Sequence, residues 1–291
     1  MLSRNGKVAM GTVVAVAALS LLPRTARAQA QDAEPAEPLA VSVDLGGDWT
    51  SAYYFRGIRQ ERDGAIFQPA VEFGIHLVES GPVSLSAVAG TWNSLHSRQT
   101  GATNPDAFAG DWYEADVYGG LELGAADWTL GAQWVTYAYP NGAAATIDEV
   151  VLSVGYDDSR LWKGKFALNP RMAYAFEVND RGGPENSYLE LGLSASHSWE
   201  AGPRSTFSIE VPLTLGLSVN DYYVTAAGQE TTLGYWDLGL DASCGLPLPP
   251  RFGGWTVRAG LHYLSFGDAT RELNDGDGST VVGKFGLGLS F

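Results

Sequence analysis

At 291 residues and a formal charge of −15, the chain is too acidic for the lysine- and arginine-rich phosphate contacts of a nucleic-acid binder. Its single cysteine, Cys244, excludes an internal disulfide, so packing and hydrogen bonds must hold the fold. Thirty-six glycines, nine tryptophans and thirteen tyrosines fit a glycine- and aromatic-rich β protein.

The chain opens with Arg4 and Lys7, a mostly apolar run from Val8 to Leu22, and then Ala26-Arg27-Ala28. This is the pattern of a Sec-type signal peptide, with an apolar run too short to span a bilayer comfortably. Cleavage is expected after Ala28, with Ala30 as the second choice; the first takes away four basic residues and moves the formal charge from −15 to −19. Cys244 lies too far downstream to form a lipobox. Residues 29–40, acidic and proline-rich, read as a disordered lead-in, and residues 41–291 as one domain without a linker. Beyond the signal no apolar run approaches transmembrane-helix length, so a mature chain seated in a membrane would cross it as strands.

Twelve alternating segments follow. The first six are Val41–Phe55, Ile66–Leu77, Val83–Leu95, Trp112–Leu123, Trp128–Tyr139 and Ile147–Tyr156. The second six are Lys165–Glu177, Tyr188–Trp199, Thr206–Val219, Leu233–Ser243, Trp255–Phe266 and Val281–Phe291. Links after the even-numbered segments are mostly short turns, such as Glu79-Ser80-Gly81-Pro82 and Ala125-Ala126-Asp127. Those after the odd-numbered ones tend to be long and polar, as in Ser97–Asp111, Asn179–Ser187, Asn220–Thr232 and Gly267–Thr280. The expected fold is therefore all-β: a transmembrane antiparallel up-and-down β-barrel of about 12 strands, with short periplasmic turns and longer extracellular loops. The last segment supports it, because Phe285, Leu287, Leu289 and Phe291 alternate with Lys284, Gly286, Gly288 and Ser290. That is the pattern of a closing strand and of a barrel-assembly signature.

Period-2 parity assigns faces. In the eighth segment Leu189, Leu191, Leu193 and Ala195 alternate with Glu190, Gly192, Ser194 and Ser196. A charge on the lipid face at mid-membrane costs roughly 2–4 kcal/mol, so the glutamate side must face the lumen. In the ninth, Phe207, Ile209, Val211, Leu213, Leu215 and Leu217 face out, and Pro212 is an oddity that removes one ladder donor. Val88 and Trp92 break the pattern of the third. Aromatic girdles are expected at both rims: Tyr53, Phe55, Tyr113, Tyr137, Tyr174, Phe176, Tyr188, Tyr222, Trp236 and Tyr263 at the long-loop end, and Trp128, Trp162, Trp199, Phe252, Trp255 and Phe291 at the short-turn end.

The same parity turns twelve acids inward: Asp44, Asp48, Glu72, Glu114, Asp116, Glu122, Glu149, Glu177, Glu190, Glu210, Asp237 and Asp241. Five bases accompany them (Arg56, Lys165, Arg171, Arg258 and Lys284), with His76 and His262 alongside. An open lumen so lined would favour cations over anions. A filled barrel would instead pair these groups across its interior. Arg171 and Arg258 close to Glu177 and Glu210 would mark the filled case; a tunnel lined by Asp44, Glu114, Asp237 and Asp241 would mark the channel.

Catalytic patterns are weak. His197 and Ser198 adjoin but point to opposite faces, and Ser265 is on the face opposite His262. The chain contains neither Gly-x-Ser-x-Gly nor His-Glu-x-x-His. The loop Asn274–Ser279 lacks the downstream glutamate of a calcium loop and reads as a glycine/aspartate turn. No catalytic residue, metal ligand or cofactor is expected. Phe55-Arg56-Gly57-Ile58-Arg59-Gln60 reads as the end of the first strand, with a turn in which Arg56 can pair with lumenal carboxylates.

That stretch, Ser51-Ala52-Tyr53-Tyr54-Phe55-Arg56-Gly57-Ile58-Arg59-Gln60 followed by Gln68-Pro69-Ala70, resembles the opening of the TorF family of proteobacterial porins, which shows an aromatic-Arg-Gly-x-x-Gln motif there. Gly90-Thr91-Trp92-Asn93-Ser94, Asn169-Pro170, Tyr174-Ala175-Phe176-Glu177, Val211–Gly216 and Tyr263–Asp268 extend the resemblance over most of the mature chain. Arg59 stands where the family has a serine. The resemblance implies an outer-membrane barrel, a pore, and no catalytic residues. The expected function is passive, cation-leaning diffusion of small polar solutes; the alternative is a non-conducting surface barrel acting through its long loops, with a membrane hydrolase a distant third. Expected partners are outer-membrane lipid, the barrel-assembly machinery, and small solutes or cations; the oligomeric state is left open.

Overall fold

The computed structural model describes residues 41–103, 107–163, 166–178, 185–202 and 205–291; the signal peptide and lead-in lie outside them. Twelve strands form one closed antiparallel barrel. They are β1 (Val41–Thr50), β4 (Ile66–Ser80), β5 (Val83–His96), β6 (Trp112–Ala125), β7 (Trp128–Ala138), β8 (Ile147–Tyr156), β9 (Arg171–Glu177), β10 (Ser187–Gly202), β11 (Ser205–Asn220), β12 (Leu233–Gly245), β13 (Gly254–Phe266) and β14 (Ser279–Ser290). Two further strands, β2 (Tyr53–Phe55) and β3 (Ile58–Glu61), make a separate hairpin. Short helices α1 (Ala107–Asp111) and α2 (Asp268–Leu273) sit in long loops.

β1 closes the cylinder against β14, with Asp44 opposite Ser290 and Thr50 opposite Lys284. Phe291 extends that ladder through a reciprocal backbone pair with Val43, at 2.9 and 3.2 Å. Closure joins the first and last strands, so the cylinder has no terminal edge strand. Alternation then sorts the faces. Phe73, Val117, Leu121, Leu152, Leu240, Leu261 and Phe285 stand on the outer surface, Val117 and Leu261 each 60% exposed. Val88, Glu114, Asp116, Val135, Glu149, Thr214, Leu264 and Val282 are buried on the inner one. Pro212 falls where the β11–β12 pairing skips from Glu210 to Leu213, so its missing donor costs no bond in that gap. Gly239 makes the room: an added Cβ there would meet the Pro212 ring at 2.7 Å.

Two expected boundaries change. The first strand does not run to Phe55; it ends at Thr50, and Tyr53–Phe55 leaves the wall as one arm of the hairpin. Arg56 and Gly57 both have positive φ (44° and 80°), and Phe55 pairs with Ile58, which makes the two a tight two-residue hairpin turn. The seventh strand starts at Arg171, not at Lys165. The Asp158 carboxylate captures the N–H groups of Leu168 (2.7 Å) and Asn169 (3.0 Å) and the Trp162 indole N–H (2.7 Å), so that backbone is committed to a loop. Lys165 itself lies outside the described residues.

Candidate functional site

The β2–β3 hairpin turns into the barrel mouth at the long-loop end and is buried there. Phe55 is 0% exposed, Ile58 4% and Arg56 5%. Phe55 joins Tyr53, Tyr113, Tyr118, Val135, Tyr137, Tyr139 and Ile147 in one apolar cluster; Ile58 joins Ala175, Tyr188, Tyr223, Tyr235, Leu264, Phe266 and Val282 in a second. The aromatic girdle expected at this rim is therefore corrected. Tyr53, Phe55, Tyr113, Tyr137 and Tyr188 are buried inside, and Tyr222 packs against both interior clusters. Tyr113 points inward beside Glu114 because a β-bulge opposite Ser94 and Leu95 breaks the alternation. Tyr263 remains outside and packs on Trp236, their rings 5.3 Å apart. At the other rim Trp128, Trp162, Trp199, Phe252 and Phe291 are exposed as expected.

Arg56, at the hairpin tip, reaches the far wall. Its guanidinium donates to both oxygens of Glu149 on β8, at 3.1 and 2.9 Å, and lies 4.2 Å from the Tyr188 ring centroid. Burial works against its charge, but the adjoining Glu149 carboxylate outweighs that and raises the guanidinium pKa further. The backbone of the tip is also tied down. The Tyr223 hydroxyl donates to the Arg56 carbonyl (2.8 Å), while Asn274 accepts the Arg59 N–H (2.8 Å) and donates to the Gly57 carbonyl (2.8 Å). The glycine/aspartate loop after α2 serves the hairpin, since Asp277 binds Arg59 (3.2 Å) and Arg62 (3.0 Å), and Asp275 binds Arg59. Arg59, the departure from the TorF pattern, is thus an outer strap of the hairpin.

On the β3 arm, Glu61 accepts from Thr100, which is bonded to His96, which is bonded to Ser94 at 2.8 Å. Burial opposes the Glu61 charge, yet hydrogen bonds from Thr100 and from the Asp63 and Arg62 N–H groups hold its carboxyl below the usual range. Ser94 and His96 are fully buried, so this chain of bonds secures the hairpin and offers no accessible nucleophile.

The sequence-assigned lumen residues divide at the hairpin. Glu114 (0% exposed), Asp116, Glu149 and Glu177 are sealed beneath it, and Tyr53 donates to Glu114 at 2.9 Å. Glu114 is therefore closed off from solvent. The remainder line the wall beyond. Arg258 pairs with Asp48 (3.1 Å), and Arg171 lies 3.8 Å from Glu190 and donates to Thr214 (3.0 Å). Tyr118 donates to Glu72 (3.0 Å), Ser194 binds Glu210, and His262 lies between Asp237 (3.0 Å) and Asp241 (3.2 Å). Asp44 sits opposite Glu72, Glu122 opposite Ser86, and Lys284 opposite Thr50 and Gly260. Arg171 and Arg258 are thus each beside a lumenal carboxylate, but their partners are Glu190 and Asp48, not Glu177 and Glu210. Residues that sequence reasoning missed as part of the closure are Tyr223, Tyr235, Asn274, Ser94 and His96. The Arg56-Gly57 turn flanked by Tyr53-Tyr54-Phe55 and Ile58 was the signal available for an inserted hairpin.

A family profile described as a bacterial protein of unknown function, Gcw_chp, matches residues 32–249. No curated protein sequence matches the chain. LpxR from Salmonella typhimurium is similar in structure at 9% identity, over 85% of this chain and 99% of that one, with a TM-score of 0.47. An outer membrane channel from Pseudomonas putida F1 is similar at 11% identity, over 89% and 100%, with a TM-score of 0.45. The NanC porin is similar at 14% identity, over 86% and 98%, with a TM-score of 0.40. At these values the likenesses carry no argument about activity.

Proposed function

The chain belongs to the Gcw_chp family, and we propose that it is an outer-membrane barrel closed at rest by its own hairpin, passing small polar solutes only when that hairpin is displaced. The apolar outer wall, the exposed aromatics at the short-turn rim and the closed cylinder support a bilayer setting, because a closed ladder with an apolar exterior satisfies hydrocarbon and backbone together. The observation that carries the closed state is the burial of the Phe55–Ile58 tip against Glu149. The resemblance to TorF porins supports passage of solutes. With the hairpin gone, Arg56 leaves with it and the acids Glu114, Asp116, Glu149 and Glu177 line the lumen it vacates, so the open state leans toward cations.

The test is conductance in a planar bilayer under a KCl gradient, comparing wild type with Gly57→Val. Gly57 has φ +80°, and a Cβ there would meet the Tyr235 ring at 2.7 Å, so the variant cannot seat its hairpin. Wild type should be silent and the variant should give discrete steps with a cation-signed reversal potential. Steps from wild type of the same size as the variant's, or silence from both, would discard the closed-barrel reading.

A further inference from the structure

The Arg56 guanidinium lies 5.0 Å from the ring of its hairpin neighbour Phe55, and its other contacts come from β8, β10 and the β11–β12 connection. Glu149 presents a carboxylate fork, and its Oε2 is oriented by the Tyr137 hydroxyl at 3.2 Å. The Tyr188 face lies 4.2 Å away and the Tyr222 ring 5.3 Å. These walls also contact one another. Tyr188 bonds Glu190 (3.1 Å) and Tyr235 (3.2 Å), its ring lies 5.1 Å from that of Tyr222, and Tyr222 rests on Tyr223 at 4.8 Å. The Tyr222 hydroxyl is buried in the same aromatic wall.

A planar, delocalised cation is the group such walls select. Two parallel N–H donors match the carboxylate fork while the flat face stacks on an aromatic ring, and the weak hydration of guanidinium makes its transfer inward cheaper than that of an ammonium. A compact hydrated cation satisfies the fork or the ring but not both. We propose that Glu149, Tyr188 and Tyr222 form a guanidinium-binding site, filled by the chain's own Arg56 when the barrel is closed and by a guanidinium-bearing solute when the hairpin is out. The inference deepens the closed-barrel reading, on which its role in transport rests, by naming the solute class. The binding itself is independent of conductance.

The experiment is calorimetric titration of refolded full-length Arg56→Ala with methylguanidinium chloride, and separately with methylammonium chloride. Methylguanidinium should bind about tenfold or more tightly than methylammonium. Arg56→Ala combined with Glu149→Gln should lose about tenfold again, and wild type, its site occupied, should give no binding heat. Equal affinity for the two cations, no heat with either, retention of affinity in the double variant, or equal binding by wild type each overturns the site. Should Arg56→Ala refold poorly, its yield of heat-modifiable barrel is measured with either salt at equal concentration. Rescue by methylguanidinium alone supports the site, and absence of selective rescue refutes it. If Gly57→Val fails to conduct while these titrations succeed, the gating reading falls and the binding site stands.

Discussion

Replacing Glu149 by glutamine isolates what holds the hairpin in place. The Arg56 and Glu149 side chains are 5% and 4% exposed, so the substitution strips a buried guanidinium of the carboxylate that both its N–H groups bond. Breaking a buried pair from one side costs about 3–5 kcal/mol. The two apolar anchors of the tip, Phe55 and Ile58, each supply roughly 1.5–3 kcal/mol by burial. One substitution therefore removes about as much as both anchors provide, and the barrel ladder, which does not include Glu149's side chain, is left intact. A loss of about 3 kcal/mol raises the ratio of displaced to seated hairpin roughly a hundredfold. Ala52 is buried at the base of the hairpin, so Ala52→Cys in a Cys244→Ser background reports its exposure through labelling by a membrane-impermeant maleimide. Glu149→Gln should label roughly a hundredfold faster than the background. Arg56→Met together with Glu149→Gln should return to near the background rate, because an apolar side chain now meets the tyrosine faces and no charge is stranded. Equal labelling of Glu149→Gln and background would refute the argument, as would a double variant as fast as the single one.

Asn274→Ala leaves the Gly57 carbonyl and the Arg59 N–H without their partner, and about 1–3 kcal/mol of hairpin seating should be lost, seen as faster labelling in the same assay. Phe55→Ala empties a fully buried aromatic site and should cost about 3–5 kcal/mol in hairpin seating while the urea midpoint of the barrel in vesicles stays unchanged; a large shift in that midpoint would mean that hairpin and wall unfold together. Leu121→Arg on the outer wall should lower barrel stability in vesicles by about 2–4 kcal/mol, whereas Asp241→Asn on the inner wall should not; similar effects would contradict the face assignment. Because the Glu61 pKa is lowered in the fold, its contribution is present above the ordinary carboxylate pKa and lost as pH falls through the depressed one. Labelling at Ala52 should therefore accelerate on acidification, and Glu61→Gln should remove part of that acceleration.

The alternation of side chains along each strand is a local property, and it was enough to determine the wall. Twelve strands, their inner and outer faces, the outward Phe285 and Phe291 and the inward Glu114, Glu149, Asp237 and Asp241 follow from period-2 parity, because the cost of charge in hydrocarbon admits one orientation. Parity fails where the backbone leaves the ladder. Tyr113 turns inward at a bulge, and Tyr53 and Phe55, apolar and in phase with an outward face, enter the lumen because β1 ends at Thr50. What the hairpin does is decided by partners remote in sequence: Glu149 is 93 residues from Arg56, Tyr223 is 167, and Asn274 is 217 from Gly57. The ion pairs share this dependence. Parity places Arg258, Arg171 and their acids on the inner wall, but closure of the cylinder sets which of them face one another, so Arg258 meets Asp48, 210 residues away. A strand's own residues therefore determine which side of the wall each group faces, and only the closed barrel decides which group it meets and whether the lumen is open.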